Sequence, residues 1–70
     1  MKIKKGEKII VHHNRKGTFN AIAANDFDTE KDEFFDVVLD DDLLEGLADD
    51  WYKGQHIPCR SEFCSIEKSR

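Results

Sequence analysis

Residues 8–13, KIIVHH, hold a short apolar run that suits a strand, in which successive side chains point to opposite faces. That alternation sets Ile9, Val11 and His13 on one face and Ile10 and His12 on the other, the pattern of a strand with one buried side. Residues 18–24, TFNAIAA, continue it, with Phe19, Ala21 and Ala23 on one side and Ile22 and Ala24 on the other. Between the two runs stand Asn14, Arg15, Lys16 and Gly17, a turn-forming Asn, two solvated cations and a glycine free to take positive φ, so a hairpin is predicted. A third strand is predicted over residues 33–39, with Phe35, Val37 and Leu39 inward and Phe34, Asp36 and Val38 outward. A last one covers residues 61–67, with Cys64 and Ile66 inward.

Between these runs the pattern weakens. Residues 1–5 read as a basic lead-in, and residues 25–32 as a polar connection with one buried anchor, Phe27. Asp40, Asp41 and Asp42 break the sheet pattern, because adjacent carboxylates repel one another and disfavour a strand. Leu43, Leu44 and Leu47 have helical spacing with an Asp available as N-cap, whereas Gly46, Asp49 and Asp50 oppose a helix. The segment near residues 42–48 is therefore a short helical turn or an irregular strand. Lys53-Gly54-Gln55-His56-Ile57 echoes Lys5-Gly6-Glu7-Lys8-Ile9, and both read as a bend feeding a strand. Pro58 confines its strand to a sheet edge or a strand start. The core is predicted to hold Ile9, Val11, Phe19, Phe35, Val37, Leu39, Trp51 and Ile66. The fold class that follows is mainly β, a small barrel of four to five short antiparallel strands forming one domain over residues 1–70, since closure removes exposed edges.

The phrases KGEKIIV, RKG, DFDTE and EFF, taken in that order, resemble small uncharacterised SH3-like (KOW- or SH3-type barrel) proteins in genomes of phages and prophages of Gram-positive bacteria. The resemblance spans most of the chain. It implies an SH3-like barrel and a phage setting, and it brings no active site with it.

At 70 residues the chain has room for one modest core. No run approaches the roughly 20 apolar residues that span a bilayer, and MKIKKGEK lacks the apolar core of a signal peptide. A cytoplasmic protein with no membrane association is expected, its two cysteines, Cys59 and Cys64, reduced. The net charge of −4 conceals a division along the chain. Residues 1–25 carry six Lys or Arg against Glu7 alone, residues 26–50 carry twelve acids against Lys31 alone, and residues 51–70 carry four Lys or Arg against two acids.

Two surfaces stand out. One is an acidic band comprising Asp26, Asp28, Glu30, Asp32, Asp40, Asp41, Asp42, Glu45, Asp49 and Asp50. Such a band serves solubility, or it mimics a phosphate backbone and occupies the basic groove of a nucleic-acid-binding host protein. The other is the hairpin tip, His12, His13, Arg15 and Lys16 beside Phe19, with the mix of charge and aromatic character that single-stranded nucleic-acid barrels use. A sequence pI near 5.2 argues against a nucleic-acid partner.

Catalytic and metal chemistry find little support. His56, Cys59, Cys64 and the His12-His13 pair have zinc-ligand chemistry, but a Cys-x4-Cys spacing along one strand would point its thiols to opposite faces. Asp26, Asp28 and Glu30 imitate the start of a calcium loop that has Lys31 and Val37 where its glycine and bidentate glutamate belong. Cys59 with His56 is the local nucleophile and base candidate, with no third group to orient them. The expectation is a non-enzymatic binding module without cofactor or metal, a phage accessory protein acting on an unidentified protein partner.

Overall fold

The computed structural model describes residues 1–40 and 51–69. The helical turn or irregular strand expected near residues 42–48 lies outside the described residues, as do Asp41, Asp42, Glu45, Asp49 and Asp50. The described residues form seven strands: β1 (Lys2–Ile3), β2 (Lys8–His13), β3 (Gly17–Ala23), β4 (Phe27–Asp28), β5 (Phe34–Leu39), β6 (His56–Arg60) and β7 (Cys64–Lys68). Five make an antiparallel sheet in the order β6-β5-β3-β2-β7, and β1 pairs with β4 in a second, two-stranded sheet. Among the described residues no helix is long and apolar enough to cross a membrane.

The predicted hairpin is the centre of the sheet. In it Val11 stands opposite Phe19 and Ile9 opposite Ala21, and all four side chains are buried. In β5 the inward residues are Phe35, Val37 and Leu39, as the alternation predicts, while Phe34 is 60% exposed. Small residues on β3 let β5 approach closely, with Ala23 opposite Val37 and Ala21 opposite Leu39. Ile57, Cys59, Cys64 and Ile66 complete the interior, Trp51 packing half-buried against it beside Phe19.

Two expectations are corrected. The lead-in is more than a basic tail: Ile3 is buried, and its strand β1 pairs with β4 so that Phe27 stacks on Phe35, with centroids 4.3 Å apart and planes 8° from parallel. One apolar residue within a Lys-rich run carries too little periodicity to reveal a two-residue strand. The sheet, moreover, is not closed into a barrel, since β6 and β7 are its two edges. Hydrogen bonds from Leu39 N–H to the Gln55 carbonyl and from Ser61 N–H to the Glu33 carbonyl bracket the β5–β6 ladder, making Phe35–Cys59 and Val37–Ile57 its hydrogen-bonded pairs. Pro58, opposite Asp36, then turns its nitrogen toward the open edge. That nitrogen has no proton to donate, so Pro58 protects an edge it cannot help to close.

The sequence echo is a structural echo. Gly6 and Gly54 have φ of 87° and 92°. Glu7 N–H donates to the Lys4 carbonyl and Gln55 N–H to the Tyr52 carbonyl, while the side-chain oxygens of Glu7 and Gln55 each accept from the first N–H of their own turn at 3.2 Å. Both glycines donate their N–H to the end of a strand, Gly6 to Ala23 and Gly54 to Leu39. Positive φ at the third position of a four-residue turn marks type II, which selects glycine there.

Candidate binding face at the hairpin tip

The turn from β6 to β7, residues 61–63, spans the gap between the edge strands. Its position is fixed from both sides, by Ser61 N–H on the Glu33 carbonyl and by Asn14 N–H on the Phe63 carbonyl at 3.0 Å each. The second bond continues the β2–β7 ladder beyond His13 and Cys64, bringing the hairpin tip against the turn. An open groove of about 410 Å³ lies there, lined in part by His12, His13, Asn14, Glu62, Phe63 and Ser65.

Cations and rings interleave along this side. Phe34 and Arg60 are register partners across β5 and β6, and the Arg60 guanidinium lies 5.0 Å from the Phe34 ring centroid. The same guanidinium is 5.8 Å from the Phe63 ring, which has the Arg15 guanidinium at 5.8 Å as well. Lys16, next along the tip, places its ammonium 6.0 Å from the Trp51 ring. Each contact falls within the reach of a cation–π attraction. Two carboxylates border the ridge: Glu62 is 3.5 Å from Arg60, and Glu67 is 3.9 Å from His12, whose Nδ1 lies 3.1 Å from the Thr18 hydroxyl.

Of the four residues assigned to a basic tip, Arg15 and Lys16 fit that description best. His13 is half-buried, and its Nδ1 accepts the N–H groups of both Arg15 and Lys16, at 3.1 and 3.2 Å. Burial first, then the charges of Lys16 and Arg15, hold its pKa below the ordinary 6.5. His13 is therefore a neutral turn-capping acceptor at pH 7, a role invisible to a reading by residue type. Arg60, Phe63 and Phe34, distant in sequence from the hairpin, are the members that reading misses. The strand pairing of Phe34 with Arg60 alone unites two of them.

The described part of the acidic band is largely occupied with its own backbone. Asp26 accepts from Lys5 N–H at 2.7 Å, Asp32 from Asp28 N–H at 2.7 Å, and Asp28 from Glu30 N–H at 3.0 Å. The Glu30 hydrogen bond is the main reason that the Asp28 carboxyl titrates below its ordinary 3.8, burial acting against it and the terminal amine 3.4 Å away adding to it. Glu30 is exposed and Asp40 half-buried.

The thiols sit otherwise than expected. Cys59 and Cys64 lie on different strands with the turn between them, so both point inward instead of to opposite faces. Burial pushes both thiols above the ordinary cysteine range, Cys59 well above it and raised further by Cys64 beside it. His56 stands on the outward face of β6 while Cys59 faces in, so the candidate nucleophile and base do not meet. Among the described residues no group of three or more His, Cys, Asp or Glu is placed to hold a metal ion. No family model, curated protein or solved structure matches this chain.

Proposed function

We propose that the chain is a non-enzymatic binding module whose working face is the ridge of Phe34, Arg60, Phe63 and Arg15. The observation that carries this reading is Phe34, an aromatic ring left 60% exposed on a strand whose inward positions are fully used, with a guanidinium laid over it. Arginine and aromatic residues supply most of the binding energy at protein interfaces, because they offer large contact area together with directed polar groups. An SH3-like architecture agrees with this reading. Its support is the meander β2-β3-β5-β6, with β7 returning to pair with β2 after a tight turn. The phosphate-mimic reading draws less support, because Asp26 is committed to the Lys5 N–H and Asp28 and Asp32 to N–H groups of their own turn.

A photo-crosslinking phenylalanine analogue at Phe34, compared with one at exposed Glu30, tests the face in extracts of the cells that make the protein. Adducts at position 34 that vanish with Arg60→Glu are expected. Equal adducts at both positions, or none at 34, contradict the assignment.

A further inference from the structure

Resting on the binding-module reading, we infer that the ridge takes single-stranded nucleic acid, with bases stacking on its rings and phosphates on its cations. The argument starts from periodicity. A single strand alternates a flat apolar base with a phosphate at every nucleotide, and the surface that fits it alternates flat rings with cations. Phe34, Arg60, Phe63 and Arg15 form such an alternation, each neighbouring cation and ring within 5.0 to 5.8 Å, and Lys16 follows Arg15 in sequence as a further cation. A guanidinium also stacks on bases and binds phosphate through two N–H groups at once, so Arg60 and Arg15 can serve either part of the strand.

The acids nearby decide how strong such binding can be. Glu62 sits 3.5 Å from Arg60, but both side chains are about half exposed and an exposed pair of this kind is held weakly, so a phosphate can displace it. With a net charge of −4 on the chain, long-range attraction is poor and affinity rests on local contacts. Duplex DNA offers no unstacked base to Phe34. An acidic peptide matches the cations and leaves the rings unused, so nucleic acid accounts for more of the surface.

The test is fluorescence anisotropy with a labelled oligothymidylate of about 12 nucleotides, a length within the site sizes of small single-strand binders. Saturable binding near 10⁻⁵ M is expected at low salt, on the order of non-specific nucleic-acid affinities. With three phosphate-binding cations, the logarithm of the association constant should fall with that of salt concentration at a slope of about −2. Phe34→Ala and Arg60→Glu should each weaken binding about tenfold or more at unchanged circular dichroism, as loss of one stacking partner or one charge contact implies. Glu62→Gln should tighten it, and a duplex of the same length should bind at least about tenfold more weakly for want of unstacked bases. Absence of saturable binding, binding indifferent to Phe34→Ala and Arg60→Glu, or displacement by polyglutamate as effective as by unlabelled strand would each overturn the inference. Position-34 adducts that survive nuclease would then still support a binding module with a protein partner.

Discussion

Phe34 stands opposite Arg60 across the β5–β6 pair, and its ring is covered by that guanidinium, while Phe35, one residue on, is buried against Phe27. Adjacent phenylalanines thus serve opposite faces of one strand, one facing the core and the other the candidate ligand.

Truncating the two should have opposite consequences. Phe35→Ala removes a buried ring from a stack and should cost about 3 to 5 kcal/mol. A domain of this size has a total stability on the order of 5 kcal/mol, so much of the population should unfold. Phe34→Ala should change stability by no more than about 0.5 kcal/mol, as for surface substitutions generally. Chemical denaturation of both variants checks this, and equal losses would mean that the strand register is one residue off.

Gly6→Ala and Gly54→Ala should each destabilise by about 1 to 2 kcal/mol, the cost of forcing an L-residue into left-handed backbone. Open space surrounds both positions, with nothing within 4 Å of an added Cβ, so the penalty is one of dihedral angle and not of crowding. Synthetic chains carrying D-alanine at either site should recover most of the loss, and failure to do so would point to steric contact instead.

Mild acid should weaken the hairpin tip. The folded chain resists protonating His13, whose pKa lies below the 6.5 of the unfolded chain, so its contribution is complete above that pH and is lost as pH falls through the lower folded value. Asp28, lowered from 3.8, keeps its contribution above that pH and loses it only as pH falls through its still lower folded value. Thermal melts at pH 7 and pH 5 should therefore differ, and the difference should shrink in His13→Asn, which keeps an acceptor oxygen without titrating. An unchanged difference would remove His13 as the cause.

Cys59 and Cys64 should react with a disulfide reagent at least about 100-fold more slowly in the native protein than in denaturant, because reaction needs a thiolate that burial disfavours and an opening that exposes it. Labelling kinetics read by mass spectrometry decide the matter. Fast labelling of either thiol under native conditions would contradict the burial of Cys59 and Cys64.

Much of the fold is legible in the sequence because one-sided burial and period-two side chains leave a strong mark: β2, β3, β5 and β7 follow directly from KIIVHH, TFNAIAA, EFFDVVL and the Cys64–Ile66 alternation. Pro58 likewise announces an edge strand. The pairing of β1 with β4 leaves no such mark, since two residues cannot display a period. The inward pairing of the thiols leaves no mark for a related reason: along one strand a five-residue spacing points them apart, whereas residues 61–63 turn the chain between them. The candidate face was half legible. Arg15 and Lys16 announce themselves by charge at a turn, but Phe34, Arg60 and Phe63 join them only through strand register and the Asn14–Phe63 hydrogen bond, which are properties of the fold.

The central claim, that the molecule binds through this ridge, is tested most directly by mapping amide and arginine side-chain chemical shifts of the labelled protein during titration with the oligothymidylate. The account predicts saturable shifts concentrated at Phe34, Arg60, Phe63, Arg15 and Lys16, with the β1–β4 pair unmoved. Shifts centred on the groove lined by Lys2, Lys4, Lys31, Asp26, Asp28 and Asp32, or spread evenly over every surface lysine, would contradict it.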